Sequence, residues 1–84
     1  MDYTAEVRIE LKAGVLDAEG ETVGKSLKLL GFPVKGVKSV KVYDIVMDAV
    51  SEEDAKRKAE NAAKKLLANP VIQNYFICVK KTGA

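Results

Sequence analysis

From Tyr3 to Lys12 apolar and polar side chains alternate without a break: Tyr3, Ala5, Val7, Ile9 and Leu11 against Thr4, Glu6, Arg8, Glu10 and Lys12. Successive side chains of an extended chain point to opposite faces, so this pattern predicts a strand with one face on a core and one in water. Ala13-Gly14 ends the alternation, and Gly14 is free to take the positive φ of a tight exit. At 84 residues the chain is read as one small domain spanning 1–84, with little core of its own.

The other elements follow from period and caps. Asp17 is placed to cap a helix whose stripe is Val23, Leu27 and Leu30, and which Gly31 and Pro33 close. Gly20 and Gly24 lie four apart on that helix; they either permit close approach by a neighbour or mark a weak, frayed first turn. Val37 to Val50 is strand-like with a phase shift between Val42 and Tyr43. A bulge there would restore register, or the two halves bury different faces. Ser51 and Asp54 form a capping box for a second helix with the stripe Ala55, Ala59, Ala62, Ala63, Leu66 and Leu67. Four acid-before-base pairs, Glu52–Lys56, Glu53–Arg57, Asp54–Lys58 and Glu60–Lys64, give that helix a self-stabilising solvated face. Asn69-Pro70 stops it, Val71 to Val79 is the last strand, and Thr82 to Ala84 reads as a frayed tail. The order is β-α-β-(β)-α-β: an α+β two-layer sandwich with a mainly antiparallel sheet and two helices on one face, akin to the ferredoxin-like fold. In the last strand Tyr75, Ile77 and Val79 share one face while Phe76 and Cys78 share the other, and an apolar second face calls for self-association.

Composition removes most chemistry. The chain has no histidine, no tryptophan and one cysteine, which excludes a Ser-His-Asp triad, a Cys-His pair, a histidine metal site and an intrachain disulfide. Cys78 sits in an apolar run, where a lone cysteine reads as a small buried hydrophobe. A net charge of +2 with interspersed signs is no basic footprint for nucleic acid. No signal peptide or membrane span is visible, so the expected location is the cytoplasm. The loop after the first strand, Gly14-Val15-Leu16-Asp17, lacks the arginine an acylphosphatase needs there, and no RNP1 pattern marks an RNA-recognition module. A small-molecule-binding regulatory module stays open as the alternative function.

Two segments carry more than turn chemistry: Leu11 to Gly20, with apolar Val15 and Leu16 in a loop, and Leu66 to Tyr75. The pattern L-K-x-G-V-L-D-x-x-G in the first and L-L-A-N-P-V-I in the second resemble the PurS family, the small subunit of phosphoribosylformylglycinamidine synthase. Leu29-Leu30-Gly31 and Val37-x-x-Val40 agree with it, while Ala13 and Ala18 stand where the family often has proline.

The resemblance implies a non-catalytic subunit of a purine-biosynthesis ligase, with no catalytic or metal-ligating residue and no cofactor of its own. The complex would use ATP, Mg²⁺ and glutamine. Its partners would be the synthase (PurL-type) and glutaminase (PurQ-type) subunits, which the chain would bridge in support of ammonia transfer. Val15 and Leu16, with the corner Asn69, Pro70, Val71 and Ile72, are the expected contacts to those subunits. Tyr43, Phe76 and Cys78 are the expected self-association residues of a homodimer or higher homo-oligomer.

Overall fold

The computed structural model describes residues 1–82, and Gly83 and Ala84 of the expected tail lie outside them. Strand β1 (Asp2–Leu11) runs into helix α1 (Ala18–Leu29), strand β2 (Val40–Asp48), helix α2 (Glu52–Ala62), a π-helical turn (Ala63–Leu67) and strand β3 (Gln73–Lys81). The sheet is antiparallel in the order β2-β1-β3, so the chain is the expected α+β fold with three strands and two helices. The alternating strand takes the centre. Its odd residues Tyr3, Ala5, Val7 and Ile9 are buried under α2 and the π turn, against Ala55, Ala59 and Ala63. Alanine on the helix lets it lie close to the sheet, and Val7 is the largest side chain that is fully buried. That is a thin core. The radius of gyration is 16.1 Å, against about 12 Å for a compact chain of this length, and the molecule measures 49 × 31 × 15 Å.

Several expectations change here. β2 is one strand without a bulge, because its register to β1 is constant from Asp2↔Asp48 to Glu10↔Val40. The apparent phase shift arises because both faces of β2 carry apolar residues. Tyr43, Ile45 and Met47 share the helix face with Val7, Ala5 and Tyr3, whereas Val40, Val42 and Val46 join the open face with Glu10, Arg8 and Thr4. The last strand starts at Gln73, not Val71, since Asn69 holds the intervening residues in a turn: its Oδ1 accepts from the Val71 N–H and its carbonyl from those of Ile72 and Gln73. Thr82 is tied down, its N–H donating to the Asp2 carbonyl and its hydroxyl paired with that of Thr4. Of the four predicted helix pairs, Asp54–Lys58 forms at 3.0 Å, and Arg57 turns to Asp54 at 2.7 Å rather than to Glu53. Asp54 draws both cations because it already caps the chain: Ser51 accepts from its N–H while its carboxylate accepts from the Val50 N–H.

Candidate functional site

The Leu11–Gly20 loop and the Asn69–Ile72 corner, distant in sequence, meet at one end of the sheet. β1 and β3 pair as far as Leu11↔Gln73, and one step further the Lys12 N–H donates to the Ile72 carbonyl at 2.9 Å. Gly14, at φ +85°, then reverses the chain, and the Val15 N–H closes the turn on the Lys12 carbonyl at 3.1 Å. This geometry turns Leu16 outward, 69% exposed, and leaves Val15 half-buried. On the corner Val71 is 80% exposed, Ile72 is at the edge of exposure, and Asn69 and Pro70 face solvent. Asn69 spends its side chain on the turn, so among the predicted contact residues it acts first as a shaper of the corner.

Asp17 fixes the loop from behind. Its Oδ1 accepts from the Gly20 N–H at 2.9 Å and from the Ser39 hydroxyl, and its Oδ2 from the Ser39 N–H at 2.7 Å. The two Ser39 hydrogen bonds, then the one from Gly20, hold its carboxyl below the usual carboxylate range. The latch draws the Val37–Ser39 segment against α1, and this decides between the two readings of Gly20. It is buried, and a Cβ there would lie 2.7 Å from the Val37 carbonyl oxygen, so close approach is the reason for glycine and the frayed-turn reading falls. Ser39 escaped the sequence reading, because nothing local marks a serine that caps a carboxylate 22 residues away.

The self-association residues do not share a face. Phe76, 52% exposed, and Cys78 lie on the open face, where Phe76 and Val42 flank Arg8 and where Cys78 is solvent-facing rather than buried. Tyr43 pairs with Val7 and therefore projects from the opposite, helix-bearing side, at the outer edge of the sheet. Tyr43 thus stands apart from the other two, and it is the even positions of β2 that accompany Phe76. Leu66, expected in the core, is 82% exposed, because the π turn rotates Leu67 inward in its place.

An open cleft of about 560 Å³ lies between α1 and the end of the sheet, walled by Ile9, Leu11, Val23 and Val37. Among the described residues no group of three or more His, Cys, Asp or Glu is placed to hold a metal ion, and no helix is long and apolar enough to cross a membrane.

Residues 4–81 match the family model "PurS: Phosphoribosylformylglycinamidine (FGAM) synthase". The phosphoribosylformylglycinamidine synthase subunit PurS of Archaeoglobus fulgidus is 55% identical over 74 residues, covering 87% of this chain and 92% of its own. The crystal structure of Methanocaldococcus jannaschii PurS, one of the subunits of formylglycinamide ribonucleotide amidotransferase in the purine biosynthetic pathway, superimposes with a TM-score of 0.89 at 49% identity, over 96% of this chain and 99% of that one. A structure of PurLQS from Thermotoga maritima contains a chain that matches with a TM-score of 0.88 at 26% identity, over 95% of this chain and 99% of that one.

Proposed function

The chain belongs to the PurS family of FGAM synthase subunits, and from that premise we propose that it joins the synthase and glutaminase subunits of the enzyme and supports the passage of ammonia between them. The observation that carries this reading is the convergence of the two family-like segments into one apolar corner, held by the Lys12–Ile72 hydrogen bond. Leu16 and Val71 gain nothing from the isolated fold. Burying each against a partner is worth roughly 1.5–3 kcal/mol, enough for a contact of modest area to be specific.

The chemistry then divides among the subunits. The glutaminase releases ammonia from glutamine, and the ATP- and Mg²⁺-dependent synthase activates the glycinamide carbonyl oxygen of its substrate and adds the nitrogen there, leaving the formyl group intact. This chain contributes rigid backbone and apolar surface, with no nucleotide site of its own. It positions the two larger subunits and keeps water from their junction, where released ammonia would otherwise protonate and diffuse away. Residues 1–84 act as one domain in the cytoplasm, and the open sheet face bearing Phe76 and Cys78 makes contact with further copies of the chain.

Reconstitution tests this. Synthase and glutaminase are mixed with formylglycinamide ribonucleotide, ATP, Mg²⁺ and either glutamine or an ammonium salt, with and without this chain. Glutamine-dependent amidine formation is expected to require the chain, while ammonium-dependent turnover by the synthase persists in its absence. Equal glutamine-dependent turnover without the chain would overturn the bridging role.

A further inference from the structure

We propose that Ser39 is a positioning residue for assembly: acting through the Asp17 carboxylate, it holds the Val15–Leu16 loop in the orientation that a partner subunit meets. This rests on the bridging role above and adds to it a residue outside the contact corner.

The loop is held at its two ends. Upstream, the Lys12 N–H donates to the Ile72 carbonyl at 2.9 Å and ties the loop to the sheet. Gly14 then turns the chain at φ +85°, and the Val15 N–H donates to the Lys12 carbonyl, a bond that ties the loop only to itself. Downstream the chain enters α1, which is a poor anchor. That helix makes at most marginal contact with the strands and with α2, and its Val23 and Leu29 are exposed. A helix so placed would be free to pivot about Gly14 and carry Leu16 with it. What opposes the pivot is the clamp on Asp17, the residue next to Leu16.

That clamp exceeds what a helix start needs. One carboxylate oxygen accepting from the Gly20 N–H already makes Asp17 an N-cap. Ser39 adds two bonds, its hydroxyl to Oδ1 at 2.6 Å and its N–H to Oδ2 at 2.7 Å, so both oxygens are held and the carboxylate keeps one orientation. Hydrogen bonds to an ionised acceptor are among the strong ones. Gly20 lets the clamp close, since a Cβ there would strike the carbonyl oxygen of Val37, two residues before Ser39. Ser39 is itself fixed. It directly precedes β2, whose first residue Val40 pairs with Glu10 of the central strand, and its neighbour Lys38 reaches the same Glu10 at 3.6 Å. Rigidity thus passes from β1 to Ser39, then to Asp17, then to Leu16. An exposed leucine held in this way loses little freedom on docking, because the loop is ordered on folding and not on binding.

The test titrates the full chain into synthase and glutaminase with saturating formylglycinamide ribonucleotide, ATP, Mg²⁺ and glutamine. It reads the chain concentration that gives half-maximal turnover and, separately, the turnover at saturation. The core beneath α2 contains neither Asp17 nor Ser39, so Ser39→Ala keeps the fold. It is expected to raise the half-saturating concentration about three- to tenfold, the effect of ordering a side chain on binding, and to leave saturated turnover unchanged. Ser39→Thr, which retains the hydroxyl, should return the parent value. In a chain already carrying Val15→Ala and Leu16→Ala, adding Ser39→Ala should shift half-saturation by less than about twofold, because the groups it positions are gone. A shift of equal size in both backgrounds, no shift in either, or a fall in saturated turnover overturns the positioning role and leaves the bridging role standing. A parent chain whose addition does not alter glutamine-dependent turnover overturns both.

Discussion

A methyl group added at Gly20 would meet the Val37 carbonyl oxygen at 2.7 Å and the Asp17 carboxylate at 2.6 Å; at Gly24 its first neighbour is a Val37 methyl at 3.6 Å. The same substitution should therefore have opposite signs four residues apart. Gly24→Ala gains helix propensity and ordinary packing, so thermal unfolding should show stabilisation of up to about 1 kcal/mol. Gly20→Ala must displace backbone and should cost about 1–3 kcal/mol, the usual penalty of overpacking. Asp17 adds a pH signature. Its carboxyl is held below the unfolded value, so the native state favours the ionised form. The stability it contributes is complete above the ordinary carboxylate range near pH 4 and is lost as pH falls through the lowered value. In Asp17→Asn the midpoint should be lower than that of the parent at pH 7, and the gap should narrow in acid; a gap independent of pH would mean that the charge of Asp17 does not matter to the latch.

Among the elements, β1, the starts of both helices and the end of α1 were legible in the sequence, because each depends on neighbours within a turn or two: alternation for β1, Asp17 and Ser51 for the helix starts, Gly31 at φ +93° for the end of α1. What could not be read depends on distant partners. The valines of β2 blurred its phase because an edge strand can carry apolar residues on both faces, and Ser39 was silent because its partner lies across a loop. The candidate contact corner was legible as two segments, but their meeting required the β1–β3 register to be known. Helical period alone misplaced Leu66. The π turn, closed by the Ala68 N–H donating to the Ala63 carbonyl at 2.8 Å, inserts an extra residue and keeps Ala55, Ala59, Ala63 and Leu67 over the sheet. Leu67→Ala should cost about 2 kcal/mol in denaturant unfolding, whereas Leu66→Ala should stay within about 0.5 kcal/mol. Equal costs would show that the helix remains α-helical to its end.

At the scale of the whole molecule, the proposed contacts separate onto different surfaces and should respond separately. Leu16→Asp, at an exposed loop position, should weaken assembly with the larger subunits about tenfold or more in a binding titration while leaving native mass and melting unchanged. Phe76→Lys should lower the native mass of the isolated chain; an unchanged mass would remove Phe76 from the self-contact. The sheet also sets a schedule for folding. Its central strand is made first and its second neighbour last, Tyr3 pairing with Lys81 across nearly the full described length. Until residues 73–81 have been synthesised, β1 has only β2 beside it, and a two-stranded ribbon is marginal in water. During translation the apolar face of β1 must wait, uncovered on one flank, for residues 73–81 to emerge. The sheet therefore completes only when β3 joins it, and the proposed contact corner, which needs the β1–β3 register, comes into being in that same step.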